Sequence, residues 1–230
     1  RLEDYLGGPL PGSTLDRWVR HQARLYAKAE ACCTASRWAA QSIIDDYGVP
    51  AEKVHVVGFG ANLAVEPTER AWSRPRFLFV ALGWQRKNGD ALVAAFRELH
   101  TELPTATLDL VGDAPQLDVP GVTVHGVLGL DDPSARAKLD ALFRRATCFV
   151  MPSRYEPFGI TYVEAARGGM PSIGTAVGGA ADAIGPGGVL VRVGGAQIGT
   201  AGAVRRQQRA DRPGDGAAHI GGAVGVGAAQ

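Results

Sequence analysis

A chain of 230 residues with 46% apolar and 20% charged residues can bury the core of one large or two small domains. Its net charge of +1 at pH 7 argues against a general nucleic-acid binder. No apolar run approaches the ~18 residues of a membrane span and no secretory signal pattern is visible, so a cytoplasmic protein is expected. The first residue is Arg1 rather than Met, from which a fragment of a longer protein is expected. Cys32, Cys33 and Cys148 have no CxxC spacing and read as buried small apolar residues of a reducing compartment.

Residues 1–13 are rich in Gly and Pro and read as a loop. Residues 15–29 follow as a helix, with Leu15, Trp18, Val19 and Leu25 on one face and Arg17, Arg20, Arg24 and Lys28 on the other. Residues 31–34 form a short strand. Ser36 then caps a helix that runs to Tyr47 and ends at Gly48. Residues 54–57 are a second strand, Gly58 to Asn62 a turn, and the polar stretch to Pro75 a linker. From Arg76 the alternation is regular. Strands are expected at 77–82, 107–111, 122–124, 146–151 and 171–176. Helices are expected at 90–100 and 135–145, with another after Gly159. Strands and helices of this length in alternation predict an α/β fold with a doubly wound, Rossmann-like parallel sheet. After about Arg192 the chain is mostly Gly, Ala, Arg and Gln without period, the composition of a disordered tail. It reads as the off-frame end of a GC-rich gene.

Two carboxylates, Glu156 and Glu164, stand with seven residues between them. Glu156 falls just past the 146–151 strand, and Glu164 about a turn and a half into the next helix. Open α/β sheets bind ligands at the carboxyl ends of their strands. The N–H groups of Phe158, Gly159 and Ile160 form a helix N-terminus suited to a phosphate. Carboxylates that accept from hydroxyls, beside an anion site, suit a sugar joined to a diphosphate. Lys87 lies in Gly83-Trp84-Gln85-Arg86-Lys87-Asn88-Gly89, between a predicted strand and a predicted helix, where such a sheet also receives its ligand. No Asp-x-Asp occurs and no His/Cys/Asp cluster has metal spacing, so neither a metal nor a cofactor is expected.

Pro152-Ser153-Arg154-Tyr155-Glu156-Pro157-Phe158-Gly159, then Glu164, Gly169-Met170-Pro171 and Gly178-Gly179, follow one another over about thirty residues. This order resembles the donor-binding signature of retaining GT-B glycosyltransferases of the family 4 type, the glycosyl transferases group 1. The resemblance implies the C-terminal half of a GT-B fold. Residues 1–64 would be the tail of the N-terminal Rossmann domain, which is otherwise missing, and residues 65–75 the linker. Residues 76–195 would be the donor-binding domain, and 196–230 the low-complexity tail.

The resemblance also implies roles. Glu156 and Lys87 would be catalytic, Glu156 facing the donor sugar and Lys87 the diphosphate. Glu164 would accept from the ribose hydroxyls. Gly83, Arg86, Val111, Gly112, Val124, His125, Gly126, Phe158, Gly159 and Ile160 would complete the donor site, largely through backbone at the 111 and 124 strand ends. The usual Arg five positions before the Lys is Leu82 here, and Arg86 stands in as its substitute. The Gly60-Ala61-Asn62 turn departs from the family's Asn-Gly. The implied activity is metal-independent transfer of a hexosyl group from a nucleotide sugar with retention. The acceptor, a glycan, lipid or small molecule, is left open. The missing domain could add peripheral contact with the inner membrane face. The alternatives are a non-catalytic nucleotide-binding remnant and a GT-B-like sugar-nucleotide epimerase. For Glu156 the alternative role is a helix cap.

Overall fold

The strands of the larger sheet read as near-continuous apolar runs because both of their faces are covered. The computed structural model describes residues 11–192. A first unit comprises α1 (Gly12–Lys28), β1 (Cys32–Thr34), α2 (Arg37–Tyr47) and β2 (Val54–Val56). β1 and β2 pair in parallel as a two-stranded sheet. Ser36 caps α2 by accepting from the Ala39 N–H at 3.2 Å, and Gly48 ends it in the left-handed region. α1 begins at Gly12, with Pro11 at its cap position, three residues earlier than expected. Cys33 corrects the reading of three buried cysteines. On a strand alternate side chains face opposite ways, so Cys32 is buried and Cys33 exposed.

The second unit runs β3 (Arg76–Ala81), α3 (Gly89–Glu102), β4 (Thr107–Gly112), β5 (Val122–Gly126), α4 (Pro133–Arg145), β6 (Cys148–Met151), α5 (Ile160–Arg167), β7 (Ser172–Thr175), α6 (Ala180–Ile184) and β8 (Gly188–Val191). The six strands are parallel in the order β5-β4-β3-β6-β7-β8. The chain winds outward from β3 to β5, returns beside β3 as β6, and winds out the other way. Strand order therefore reverses between β3 and β6, the place where a doubly wound sheet opens a crevice at its carboxyl edge.

The core sits on both faces. Phe77 meets Phe96 of α3 on one face. On the other, Phe149 stacks on Phe143 of α4 and meets Tyr162 of α5 edge-on. Phe149, Phe143 and Tyr162 are all fully buried. The Tyr162 hydroxyl donates to the Met151 carbonyl at 2.5 Å, which ties α5 to the end of β6. α4 starts two residues earlier than expected because Asp132 caps it, accepting from the Ser134 N–H at 2.8 Å, with Pro133 in the first turn.

The segment expected as a linker is packed. Leu63 and Val65 belong to the core of the larger sheet. Thr68 donates to the Arg144 carbonyl at 3.0 Å. The Arg70 guanidinium reaches the carbonyls of Phe143, Ala146, Gly168 and Gly169, at the ends of α4 and α5. Among the described residues no helix is long and apolar enough to cross a membrane. The reading of residues 196–230 falls outside the described residues.

Because Phe149 links the sheet to two helices, Phe149→Ala should cost about 3–5 kcal/mol. Urea unfolding should show a lower midpoint with an unchanged slope. A loss under 1 kcal/mol would contradict this account of the core.

Candidate active site

Two loops meet at the strand-order reversal. The first, after β3, is shaped by Asp113, which follows β4 and accepts from the N–H groups of Gly83 at 2.9 Å and Trp84 at 3.2 Å. Trp84 packs edge-on against Phe79, and its indole N–H donates to Asp90 at 2.8 Å. The loop thereby turns inward and carries Lys87 into the protein. The second loop, after β6, is stitched to the first. The Arg154 N–H donates to the Arg86 carbonyl at 2.9 Å, and its side chain donates to the Asn88 side chain at 3.1 Å. Asn88 holds φ 60°, a left-handed conformation that Asn tolerates better than most residues.

Between the loops Lys87 and Glu156 form a buried ion pair, with 7% and 3% of each residue exposed. Ser153 donates to the same Glu156 oxygen at 3.1 Å. Burial pushes the Lys87 ammonium below the ordinary lysine value. Glu156 opposes that shift through charge and hydrogen bond, and nearby Arg86 adds to it. The Glu156 backbone is held as well: its carbonyl accepts from the Gly179 N–H at 2.9 Å. A Cβ on Gly178 or Gly179 would run into the Glu156 or Pro157 carbonyl, so the glycine pair is needed for this approach.

Glu156 does not cap the following helix. Gly159 is the cap residue of α5, with φ 86° and no side-chain cap hydrogen bond. A Cβ there would meet the Tyr162 ring. The α5 N-terminus is thus left uncapped beside the Lys87 ammonium, and both attract an anion. They share a cavity of about 320 Å³. Of the residues named from sequence, Arg86, Lys87, Glu156, Phe158, Gly159 and Ile160 line it. Phe59, Pro157 and Thr161 also line it and were not foreseen. Phe59 is 59% exposed and meets Phe158 edge-on at 5.4 Å. A larger cavity of about 460 Å³ lies between α1, β1 and α2, but apolar and small residues line it and no charged one does.

The other predicted residues lie elsewhere. Gly83 starts the first loop, and Val111 and Gly112 end β4. Glu164 is buried on α5. Burial raises its pKa above the ordinary glutamate value, and Asn62 nearby opposes that rise. Val124, His125 and Gly126 end β5. Here the pairing register skips His125: Leu110 faces Val124, and Val111 faces Gly126. The bulge makes His125 the extra residue. Its ring meets Asp109 at 2.6 Å, and Arg145 donates to the same Asp109 oxygen at 2.7 Å. The His125 side chain is therefore committed to β4 and α4 and lines no part of the 320 Å³ cavity. Among the described residues no group of three His, Cys, Asp or Glu side chains is placed to hold a metal ion.

A doubly wound sheet opens a crevice for ligands at its switch point, and here an acidic and a basic group meet there beside an open helix N-terminus. The family model for glycosyl transferases group 1 matches residues 74–206. Mannosylfructose-phosphate synthase of Agrobacterium fabrum is 30% identical, over 70% of this chain and 41% of that protein. D-inositol 3-phosphate glycosyltransferase 1 of Catenulispora acidiphila is 29% identical, over 78% of this chain and 49% of that protein. Among solved structures, sucrose-phosphate synthase from Thermosynechococcus elongatus superposes with a TM-score of 0.60 at 25% identity, over 79% of this chain and 50% of that one. Anabaena HepE, solved with UDP and glucose, also reaches 0.60, at 21% identity and over 78% of this chain and 54% of that one. The chain belongs to the group 1 glycosyl transferases, and its sheet is that of a GT-B enzyme. It spans about half the length of the relatives it matches.

Removing one partner of a buried pair strands the other charge, so Lys87→Met or Glu156→Leu alone should destabilise by about 3–5 kcal/mol. The double variant Lys87→Met/Glu156→Leu should recover most of that loss. Chemical denaturation of the four proteins of the cycle checks it, and additive losses would show that the two side chains do not interact.

Proposed function

We propose that this chain is the donor-binding part of a retaining glycosyltransferase, which takes a hexosyl group from a nucleotide sugar without a metal ion. The observation that carries the reading is the Lys87–Glu156 pair, set in the wall of a cavity beside the uncapped N-terminus of α5. A related structure supports the donor class: HepE was solved in complex with UDP and glucose. The names of the relatives, all glycosyltransferases or sugar synthases, support the transfer.

In this reading the diphosphate lies against the Lys87 ammonium and the N–H groups of Phe158, Gly159 and Ile160. As the bond from the anomeric carbon to the diphosphate oxygen breaks, negative charge grows on the departing phosphate. The ammonium and the helix N-terminus are already aimed there and need not reorganise. The sugar lies on the Glu156 side of the cavity, where the carboxylate stabilises positive charge at the anomeric carbon. The acceptor oxygen bonds to that carbon on the face the phosphate leaves, which retains the configuration. The acceptor's proton leaves on the departing phosphate. Glu164, an acceptor-only group when ionised, takes the two ribose hydroxyls.

Titration calorimetry with UDP, GDP and ADP, and with their parent nucleosides, tests the phosphate assignment. Lys87→Ala should weaken the diphosphate, per folded molecule, by about 1.5–3 kcal/mol and leave the nucleoside nearly unchanged. Equal losses for both ligands would refute it. Full transfer activity in excess chelator supports metal independence, and abolished transfer refutes it. Measuring the anomeric configuration of the first product decides retention.

A further inference from the structure

Phe59 lies on the strap that joins the two sheets, between Gly58 and Gly60. Among the described residues that line the 320 Å³ cavity it stands apart in two ways. The others belong to the loops after β3 and β6 or to the first turn of α5, whereas Phe59 follows β2, on the side of the smaller sheet. Among those lining residues it is also the only exposed one, at 59%. We propose that Phe59 is a donor-binding residue whose ring covers the apolar face of the hexosyl group; this rests on the reading of the cavity as a nucleotide-sugar site.

The ring stands where such a group would lie. Its edge-on contact with Phe158, at 5.4 Å and 89°, holds it beside one of the three N–H groups assigned to the diphosphate. The next residue, Gly159, adjoins the Glu156 side: a Cβ there would come within 3.3 Å of the Glu156 carboxyl carbon. Phe59 is therefore near the junction of the phosphate and carboxylate parts of the cavity, where the bond between sugar and diphosphate would sit. Lys87, Glu156 and the free N–H groups of α5 suit the phosphates and the sugar hydroxyls. They offer nothing to the C–H groups on the face of a hexose ring. Those hydrogens sit on carbons bonded to oxygen and carry partial positive charge, which the negative face of an aromatic ring attracts. Phe158 is only 8% exposed, so its own ring is not free for this contact. Phe59 has apolar area left for a ligand to remove from water. A Cβ on Gly58 or Gly60 would meet nothing within 4 Å, so the backbone on either side of the ring is uncrowded.

Titration calorimetry compares UDP-glucose, GDP-mannose and ADP-glucose with free UDP, GDP and ADP, and the best-binding pair is followed in the variants. Phe59→Ala should weaken the nucleotide sugar by about three- to tenfold and the free diphosphate by less than about twofold. Phe59→Tyr keeps the ring and should bind both as the wild type does. An equal loss for both ligands in Phe59→Ala overturns the proposal, because the ring then serves the nucleotide or the fold. Unchanged affinities overturn it too, and leave the ring to the acceptor or to another part of a longer protein. A Phe59→Tyr variant that loses as much as Phe59→Ala is the third contrary result. If Lys87→Ala weakens the free diphosphate while the Phe59 variants bind both ligands normally, the reading of the cavity stands and only the role of Phe59 falls. If the wild-type chain binds neither member of any pair, both fall.

Discussion

The buried contact between Lys87 and Glu156 is what the site geometry depends on. It joins a residue six past the end of β3 to one five past the end of β6. Those strands are neighbours only because the sheet reverses its winding between them. The same reversal leaves the carboxyl edge open there, since the loops on either side lead to helices on opposite faces. The pair closes the floor of that opening. Arg154, reaching Arg86 and Asn88, fixes the spacing of the two loops, and the glycine pair after β7 holds the Glu156 backbone from the other side. Three consecutive strand ends thus converge on one carboxylate.

Much of this was legible in the sequence because it rests on local signals. Apolar runs of strand length, Ser36 and Gly48 at the ends of a helix, and the ordered residues from Pro152 to Gly179 each announce themselves within a few positions. Lys87 and Glu156 could both be placed at strand ends, but the bond between them could not be read. It depends on which strands are adjacent, and the periodicity of a single chain does not encode strand order. His125 shows the same limit on a smaller scale. One skipped residue in the pairing of β4 with β5 redirects its side chain to Asp109. Nothing near His125 marks the bulge, because its partner Asp109 lies 16 residues away on β4. Phe59 was missed for a related reason. Its stretch, Gly58 to Asn62, reads as a turn, while the contact of Phe59 with Phe158 comes from its lying against the start of α5.

That strap also changes how the two sheets relate. A segment with loose composition would let the units move independently. Here Leu63 and Val65 are buried in the larger core, and Arg70 satisfies carbonyls at the ends of two helices that would otherwise lack partners. Upstream, between β2 and Asn62, Gly58 takes a positive φ and Gly60 has open space around it. Phe59 sits between those glycines and on the cavity wall. The start of α2 also meets the larger unit directly: the Ser36 hydroxyl donates to the Pro157 carbonyl at 3.4 Å, and Trp38 meets Tyr155 edge-on at 5.9 Å.

Burying charge at this position carries a cost. Two ions taken out of water lose hydration that their mutual attraction barely restores, and an apolar pair of similar volume is often at least as stable. Burial pushes the Lys87 ammonium below the ordinary lysine value, and Glu156 opposes that shift. The arrangement is hard to explain by stability alone. It is well explained if the ammonium must meet a second anion. A diphosphate would add negative charge on the open side of Lys87, raise its proton affinity again, and relieve the cost of burial on binding. Pre-organised polar groups that need not reorganise when charge develops are what a transfer reaction through a departing phosphate requires.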